Sequence, residues 1–276
     1  MSTPELRAWI LQNTEAGHDP AALLDQLVAA GWQEDVALNA LEMTLKERVA
    51  ELQRKPVPDP QLKDQPIAIT IEGRDVPALI SIQHPRLVVF SHFLTDDECE
   101  ALKEAARPRL GTSTVLSDAT GEDEQHVGRV SEGMFFARCE TPLIKRIEER
   151  ISQLVNWPID HGETLQILRY GIGGKYDPHF DYFDPNIPGS TEPLKVAGNR
   201  VGTLIMVLQS PRKGGATIFP DAGIEVYPQR GHAIFFSYDR PDPSTHTLHG
   251  GAPVIEGEKW IATKWFRERP FPTSKK

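Results

Sequence analysis

Apolar residues recur at helical spacing through the first fifty or so positions and at shorter, strand-like spacing beyond them. Thr3 followed by Pro4 is an N-cap and first-turn pair, and Leu6, Ile10 and Leu11 behind it predict a helix that Gly17 stops. Asp19 and Pro20 repeat the start signal. Leu23, Leu24, Leu27 and Val28 form the next stripe, and Gly31 ends it. A third, longer helix is predicted with Val36, Leu41, Leu45, Val49 and Leu52 as its apolar positions. Prolines at 56, 58 and 60 then forbid a helix and favour extended, semi-rigid chain. Residues 1–54 are therefore expected to form a small helical domain, 55–66 a proline-rich linker and 67–276 a second domain.

From residue 67 the period shortens. Residues 67–72 alternate apolar and polar, as a strand would, and 86–90 read as another strand. Thr95, Asp96 and Asp97 precede a predicted helix over 98–106, placing acidic side chains where the helix dipole favours them. A second helix is predicted over 140–156, with Leu143, Ile147, Ile151 and Leu154 on one side. Short apolar runs near 164–170, 177–182, 200–208, 215–219, 223–227, 231–237, 246–252 and 258–266 are punctuated by Gly and Pro. Eight such strands predict an α+β protein: a double-stranded β-helix, or jelly-roll, core with supporting helices, behind a small three-helix domain.

Composition narrows the function classes. The chain is 39% hydrophobic and 25% charged, an ordinary globular mixture. No apolar run reaches the ~18 residues that cross a bilayer, and Met1 to Glu5 show neither a basic nor an apolar leader region, so a cytoplasmic protein without membrane contact is expected. A net charge of -9 argues against a nucleic-acid partner. Cys99 and Cys139 are far apart and outside any CxxC pattern, which predicts two buried free thiols.

The candidate chemistry sits in residues 168–181. His179 and Asp181 are two apart, and in a strand that spacing turns an imidazole and a carboxylate to the same side. A distant third ligand, a histidine, would complete a facial triad that leaves three positions open, an arrangement suited to non-haem Fe(II) and also able to take Mn, Co or Ni. An isolated His-x-Asp pair also arises from a surface histidine beside a solvated aspartate. His246 and His249 both lie in the right region. Three apart in a strand they would face opposite sides, so only one can join the site.

The run from His249 through Lys259 to Trp265 resembles the C-terminal signature of prolyl 4-hydroxylases, in which the distal histidine ligand precedes a basic residue by ten positions. Other landmarks agree with that family: Leu168-Arg169-Tyr170, Tyr176-x-Pro178-His179-x-Asp181, Arg200-x-x-Thr203, Gly214-Gly215, Phe219-Pro220, Gly231-x-Ala233 with Phe235-Phe236, and Arg129-x-Ser131. The resemblance covers residues 85 to 271. It implies Fe(II) held by His179, Asp181 and His249, with 2-oxoglutarate and O2 as cosubstrates, succinate and CO2 as products, and L-ascorbate as reductant. It implies that Lys259 binds the far carboxylate of 2-oxoglutarate, that Tyr170 and Thr203 each add a hydrogen bond, and that Tyr176, Arg200, Trp265 and Arg129 line a peptide groove. The expected substrate is a prolyl residue of a peptide or protein.

The plainer readings are a packed aromatic at Tyr170 or Trp265, a solvated strand lysine at 259, the same chemistry on another residue or a small molecule, and a non-catalytic scaffold. Ala216 replaces a glutamate that some members carry, and Arg267 stands where peptide-acting members have histidine; both bear on the substrate more than on the reaction. Residues 113–128 are expected to close over a bound peptide, and 183–198 to form either a lid or a solvated excursion. The stretch from Leu23 to Gly31-Trp32 resembles ubiquitin-associated three-helix modules, which implies a protein partner, against a simple packing role.

Overall fold

A computed structural model describes residues 3–52, 56–62, 66–113, 115–116, 123–124, 128–227 and 229–272. The chain divides into two compact units, Met1–Pro56 and Val57–Lys276.

The first unit holds three helices, α1 (Pro4–Glu15), α2 (Pro20–Ala29) and α3 (Glu34–Leu52). Thr3 and Asp19 cap α1 and α2 by accepting from the backbone N–H groups of Leu6 and Ala21. Leu6, Ile10, Leu23 and Leu27 form a small core with Ala37, Ala40 and Leu41. The third stripe differs from expectation. α3 buries Ala37, Ala40, Leu41 and Thr44, whereas Val36 and Val49 are exposed. Small residues let α3 approach α1 and α2 closely, and a stripe read from bulky side chains alone misses that face; Leu52 lies where side chains are not described.

The second unit is built on a nine-stranded antiparallel sheet in the order Ala68–Ile71, Arg74–Ile82, Arg86–Phe90, Ala233–Ser237, Arg200–Gln209, Lys259–Arg267, Leu165–Tyr170, Glu132–Phe136, Gly111–Thr112. A five-stranded antiparallel sheet, Ile224–Val226, Thr217–Phe219, His249–Gly251, Lys175–His179, Arg129–Val130, completes the sandwich. The strands at Arg74–Ile82 and Glu132–Phe136 were not anticipated. Pro77 interrupts the first in the sequence, and only the three apolar residues Met134, Phe135 and Phe136 mark the second.

Helices α4 (Asp96–Ala106) and α5 (Pro142–Val155) cover the outer face of the large sheet. Thr95 and Glu98 form a reciprocal capping box at the start of α4. Ile144, Ile147, Ile151 and Leu154 of α5 share one core with Leu204, Met206, Trp260 and Phe266 of the sheet, each aliphatic contributing about 1.5–3 kcal/mol by burial. The inner face carries a second core of Leu87, Val89, Ile205, Phe219, Phe236 and Ile261. Because side chains alternate along a strand, Leu204 and Met206 feed the outer core while Thr203 and Ile205 face inward.

The proline stretch is only partly a spacer. Val57 and Leu62 pack on the outer core, and the Asp59 N–H donates to Val155 O at 2.9 Å, so 57–62 run along this unit; 53–55 and 63–65 lie outside the described residues. Cys99 is buried, but Cys139 is exposed in a left-handed turn before α5, contrary to the expectation of two buried thiols. The loop at 183–198 contains a short helix, α6 (Thr191–Ala197). Its base is clasped by Asn199, whose amide oxygen accepts from Phe183 N and whose NH2 donates to Phe183 O, both at 2.8 Å. Most of the loop at 113–128 lies outside the described residues.

Candidate active site

His179 ends the strand Lys175–His179 and pairs in register with His249, the first residue of its own strand. The strand therefore stops short of Asp181, correcting the expectation of one strand over 177–182. A register shift between Tyr176 and His179, followed by the turn after His179, brings the carboxylate round to the imidazoles. His246 and His249 do not share a strand either. His246 sits in a left-handed turn at the end of a 3-10 segment, and only His249 enters the site.

The three side chains converge. Asp181 Oδ1 lies 3.6 Å from His179 Nε2, and Asp181 Oδ2 lies 3.5 Å from His249 Nε2. Two ligand atoms each ~2.1 Å from one octahedral cation stand about 3 Å apart, so these pairs are within reach of a shared ion. The His179 Nδ1 faces Asp177 O at 2.9 Å and the His249 Nδ1 faces Thr247 O at 3.0 Å. A carbonyl only accepts, so each Nδ1 carries the proton and each Nε2 presents its lone pair. Burial pushes His249 down to about 4, against the opposing charge of Asp181, so it is neutral at pH 7. Burial would raise the Asp181 carboxyl, but the attraction of the imidazoles in their protonated form, and of Arg200, outweighs it and keeps the group well below the usual carboxylate range. Two neutral donors and one anion, with room on the far side, form a donor set that fits non-haem Fe(II).

The same pocket runs along the inner face of the large sheet. Gln166, Leu168 and Tyr170 from one strand, Thr203 and Ile205 from the next, and Lys259, Ile261, Thr263 and Trp265 from a third all line it. Lys259 and Tyr170 are direct cross-strand partners, with the Lys259 ammonium 5.8 Å from the Tyr170 ring centre. Lys259 is 4% exposed, and among the described residues no carboxylate pairs with it. Burial alone pushes it down to about 8. A buried, unpaired ammonium at the wall of a pocket is a seat for an anion. Burial also pushes the Tyr170 hydroxyl up to about 12, so it stays a donor.

The Thr203 hydroxyl donates to Asp181 Oδ2 at 2.7 Å and touches the Tyr238 hydroxyl at 3.1 Å, where the sequence led to a bond with the cosubstrate. Thr217, buried on the small sheet, lines the pocket with Lys259 and was not picked out in the sequence, where a threonine in Gly-Gly-Ala-Thr reads as an ordinary strand residue.

Of the residues expected in the peptide groove, Tyr176 stacks on the His179 ring at 3.8 Å between centres and Arg129 lies over Tyr176 at 4.7 Å. Both line the pocket, as does Trp265. Arg200 stands behind Trp265, with its guanidinium 4.2 Å from the indole. It is held by Glu163 through two bonds of 2.8 and 2.9 Å. Arg267 donates to the same carboxylate at 2.9 Å and to Gly198 O at 2.7 Å, and also contacts Pro193 O. Glu163 is thus a buried anion between two guanidiniums. Burial opposes its ionisation, but the two arginines keep its carboxyl below the usual range. A single glutamate ahead of a strand carries no periodic signal, and sequence reasoning missed it.

Residues 165–267 match the model of the 2OG-Fe(II) oxygenase superfamily. Prolyl 4-hydroxylase 5 of Arabidopsis thaliana is 38% identical over 208 residues, covering 68% of this chain and 70% of that protein. Prolyl 4-hydroxylase subunit alpha-1 of Homo sapiens is 36% identical over 189 residues, covering 67% of this chain and 35% of that protein. Among solved structures, the viral collagen prolyl hydroxylase of Paramecium Bursaria Chlorella virus-1 in its 2OG complex is similar at 30% identity and a TM-score of 0.50, over 66% of this chain and 95% of that one.

Proposed function

The chain belongs to the prolyl 4-hydroxylase family of Fe(II)- and 2-oxoglutarate-dependent dioxygenases, and on that premise we propose that it hydroxylates prolyl residues of a peptide or protein, with His179, Asp181 and His249 as iron ligands and Lys259 as the seat of the cosubstrate's far carboxylate. The observation that carries the assignment of residues is the buried, unpaired Lys259 in the pocket that also holds the three ligands. The oxygenase work is assigned to residues 67–276. A partner-recruiting role is assigned to the helical residues 1–54, and 55–66 to the connection between them.

Bound iron would supply the oxygen chemistry, coupling oxidative decarboxylation of 2-oxoglutarate to C–H hydroxylation. The chain's own part is positioning. The carbonyls of Asp177 and Thr247 fix both imidazole tautomers. Lys259 orients the dicarboxylate by its far end, with the Tyr170 hydroxyl beside it as a donor. Tyr176, Arg129 and Trp265 give the mouth aromatic and cationic surface on which a prolyl ring and its peptide carbonyls can lie. Arg200, engaged by Glu163, supports Trp265 from behind and reaches Asp181 O at 3.4 Å. L-Ascorbate is expected to sustain turnover by returning iron to the ferrous state.

The test is product analysis. Purified protein with Fe(II), 2-oxoglutarate, ascorbate and a proline-rich peptide should add one oxygen to proline, read by tandem mass spectrometry. Succinate formation without any modified proline in a broad peptide panel would retain the oxygenase and reject the prolyl substrate.

A further inference from the structure

We propose that Tyr238 is a positioning residue for the metal-binding carboxylate: acting through Thr203, it holds one oxygen of Asp181 and leaves the other for the cation. The inference rests on the reading of His179, Asp181 and His249 as metal ligands.

Hydrogen-bond direction in this chain follows from proton counting. An ionised carboxylate only accepts, so the single Thr203 proton is committed to Asp181 Oδ2 at 2.7 Å. The 3.1 Å contact between Thr203 and Tyr238 then has to be a donation from the tyrosine hydroxyl. The order is Tyr238 O–H to Thr203 Oγ1, and Thr203 O–H to Asp181 Oδ2. Each donation polarises the next group and strengthens the bond to the carboxylate.

Both donors are held in place. Thr203 is completely buried in the middle of its strand and β-branched, so its side-chain torsion is stiff. The Tyr238 ring is 2% exposed. It packs against Phe236 at 6.3 Å and edge-on to Tyr182, the residue after Asp181, at 6.0 Å. Its backbone N–H donates to Val201 O at 3.1 Å, tying it to the strand that carries Thr203. Asp181 has no such stiffness of its own, because a terminal carboxylate torsion is broad. It also lies outside regular strand structure. A carboxylate free to turn can bind a cation through both oxygens. That would occupy one of the three positions the triad has to leave open for cosubstrate and O2. Fixing Oδ2 from the Thr203 side selects the one-oxygen mode.

The test is calorimetric titration of the metal-free, full-length protein with Mn(II), which needs no turnover, on wild type and on the His179→Ala, Tyr238→Phe, Thr203→Val, Thr203→Ser and Tyr238→Phe/Thr203→Val variants, with near-ultraviolet circular dichroism to establish folding. Wild type should bind one Mn(II) in a manner that needs His179. Tyr238→Phe should weaken binding about tenfold, the size typical of a group behind a metal ligand. Thr203→Ser should bind as wild type does. The double variant should be no weaker than Thr203→Val alone, because the tyrosine acts only through that hydroxyl. Wild-type affinity in Tyr238→Phe, or a tyrosine penalty that persists in full without the Thr203 hydroxyl, overturns the proposal and leaves the metal site standing. Failure of wild type to bind Mn(II), or binding indifferent to His179, overturns the metal site and the proposal together.

Discussion

Raising the pH from 7 to 9 should weaken 2-oxoglutarate binding about tenfold, and the reason is the burial of Lys259. That ammonium is 4% exposed and is pushed from 10.5 down to about 8. If only the ammonium form receives the far carboxylate, the competent fraction of cosubstrate-free protein falls from about nine-tenths at pH 7 to about one-tenth at pH 9. Both carboxylates of 2-oxoglutarate are ionised throughout this range, so the change belongs to the protein. Binding should be followed by calorimetry with Mn(II) present in place of iron, in wild type and in Lys259→Arg. The guanidinium keeps its charge, so the arginine variant should lose no affinity between these pH values, whatever its absolute strength. The same burial has a stability signature of fixed sign. The folded value lies below the unfolded one, so the unfolded chain holds the proton more tightly, and stability of the cosubstrate-free protein rises with pH between about 8 and 10.5. A shift of this size corresponds to a cost on the order of 3 kcal/mol at neutral pH, so Lys259→Met should be the more stable protein in urea without cosubstrate. Wild-type affinity that is flat across the range, or an arginine variant that weakens in parallel, would refute the reasoning.

Glu163→Gln should cost about 3–5 kcal/mol in urea denaturation, because it leaves Arg200 and Arg267 facing each other without their shared anion; a change under about 1 kcal/mol would mean the pair is solvated and not a structural anchor. Gly198 has φ +73°, and a Cβ there would meet the Glu268 side chain. Gly198→Ala should therefore cost about 1–3 kcal/mol and speed amide exchange at Asn199, whereas unchanged exchange would mean that the base of the 183–198 loop is not clasped as described.

His249 and Lys259 were singled out by their resemblance to a family signature and not by any local geometry. The two-residue spacing of His179 and Asp181 suggested one shared strand, whereas the strand ends at His179 and a turn carries Asp181 round. The helix caps at Thr3 and Asp19 were readable, since a cap involves only the next few residues. What escaped was decided across the fold. Thr203 read as a donor to the cosubstrate because nothing local announces Asp181, twenty-two positions earlier, as a neighbour of its hydroxyl. Arg200 read as a groove residue because nothing local announces Glu163, thirty-seven positions earlier, as its partner. Thr217 looked like an ordinary strand residue, and Tyr238 fell just past the strand predicted over 231–237. Their place in the site depends on how the two sheets face each other, and that is a tertiary property.

The central claim is that this pocket runs a 2-oxoglutarate- and iron-dependent oxidation on His179, Asp181 and His249, and succinate formation tests it most directly. Wild type with Fe(II), 2-oxoglutarate, O2 and ascorbate should release succinate, faster with a proline-rich peptide, and His179→Ala should release none above the enzyme-free rate while keeping its fold. Succinate formation that survives His179→Ala, or its absence from iron-loaded wild type with and without peptide, would contradict the account.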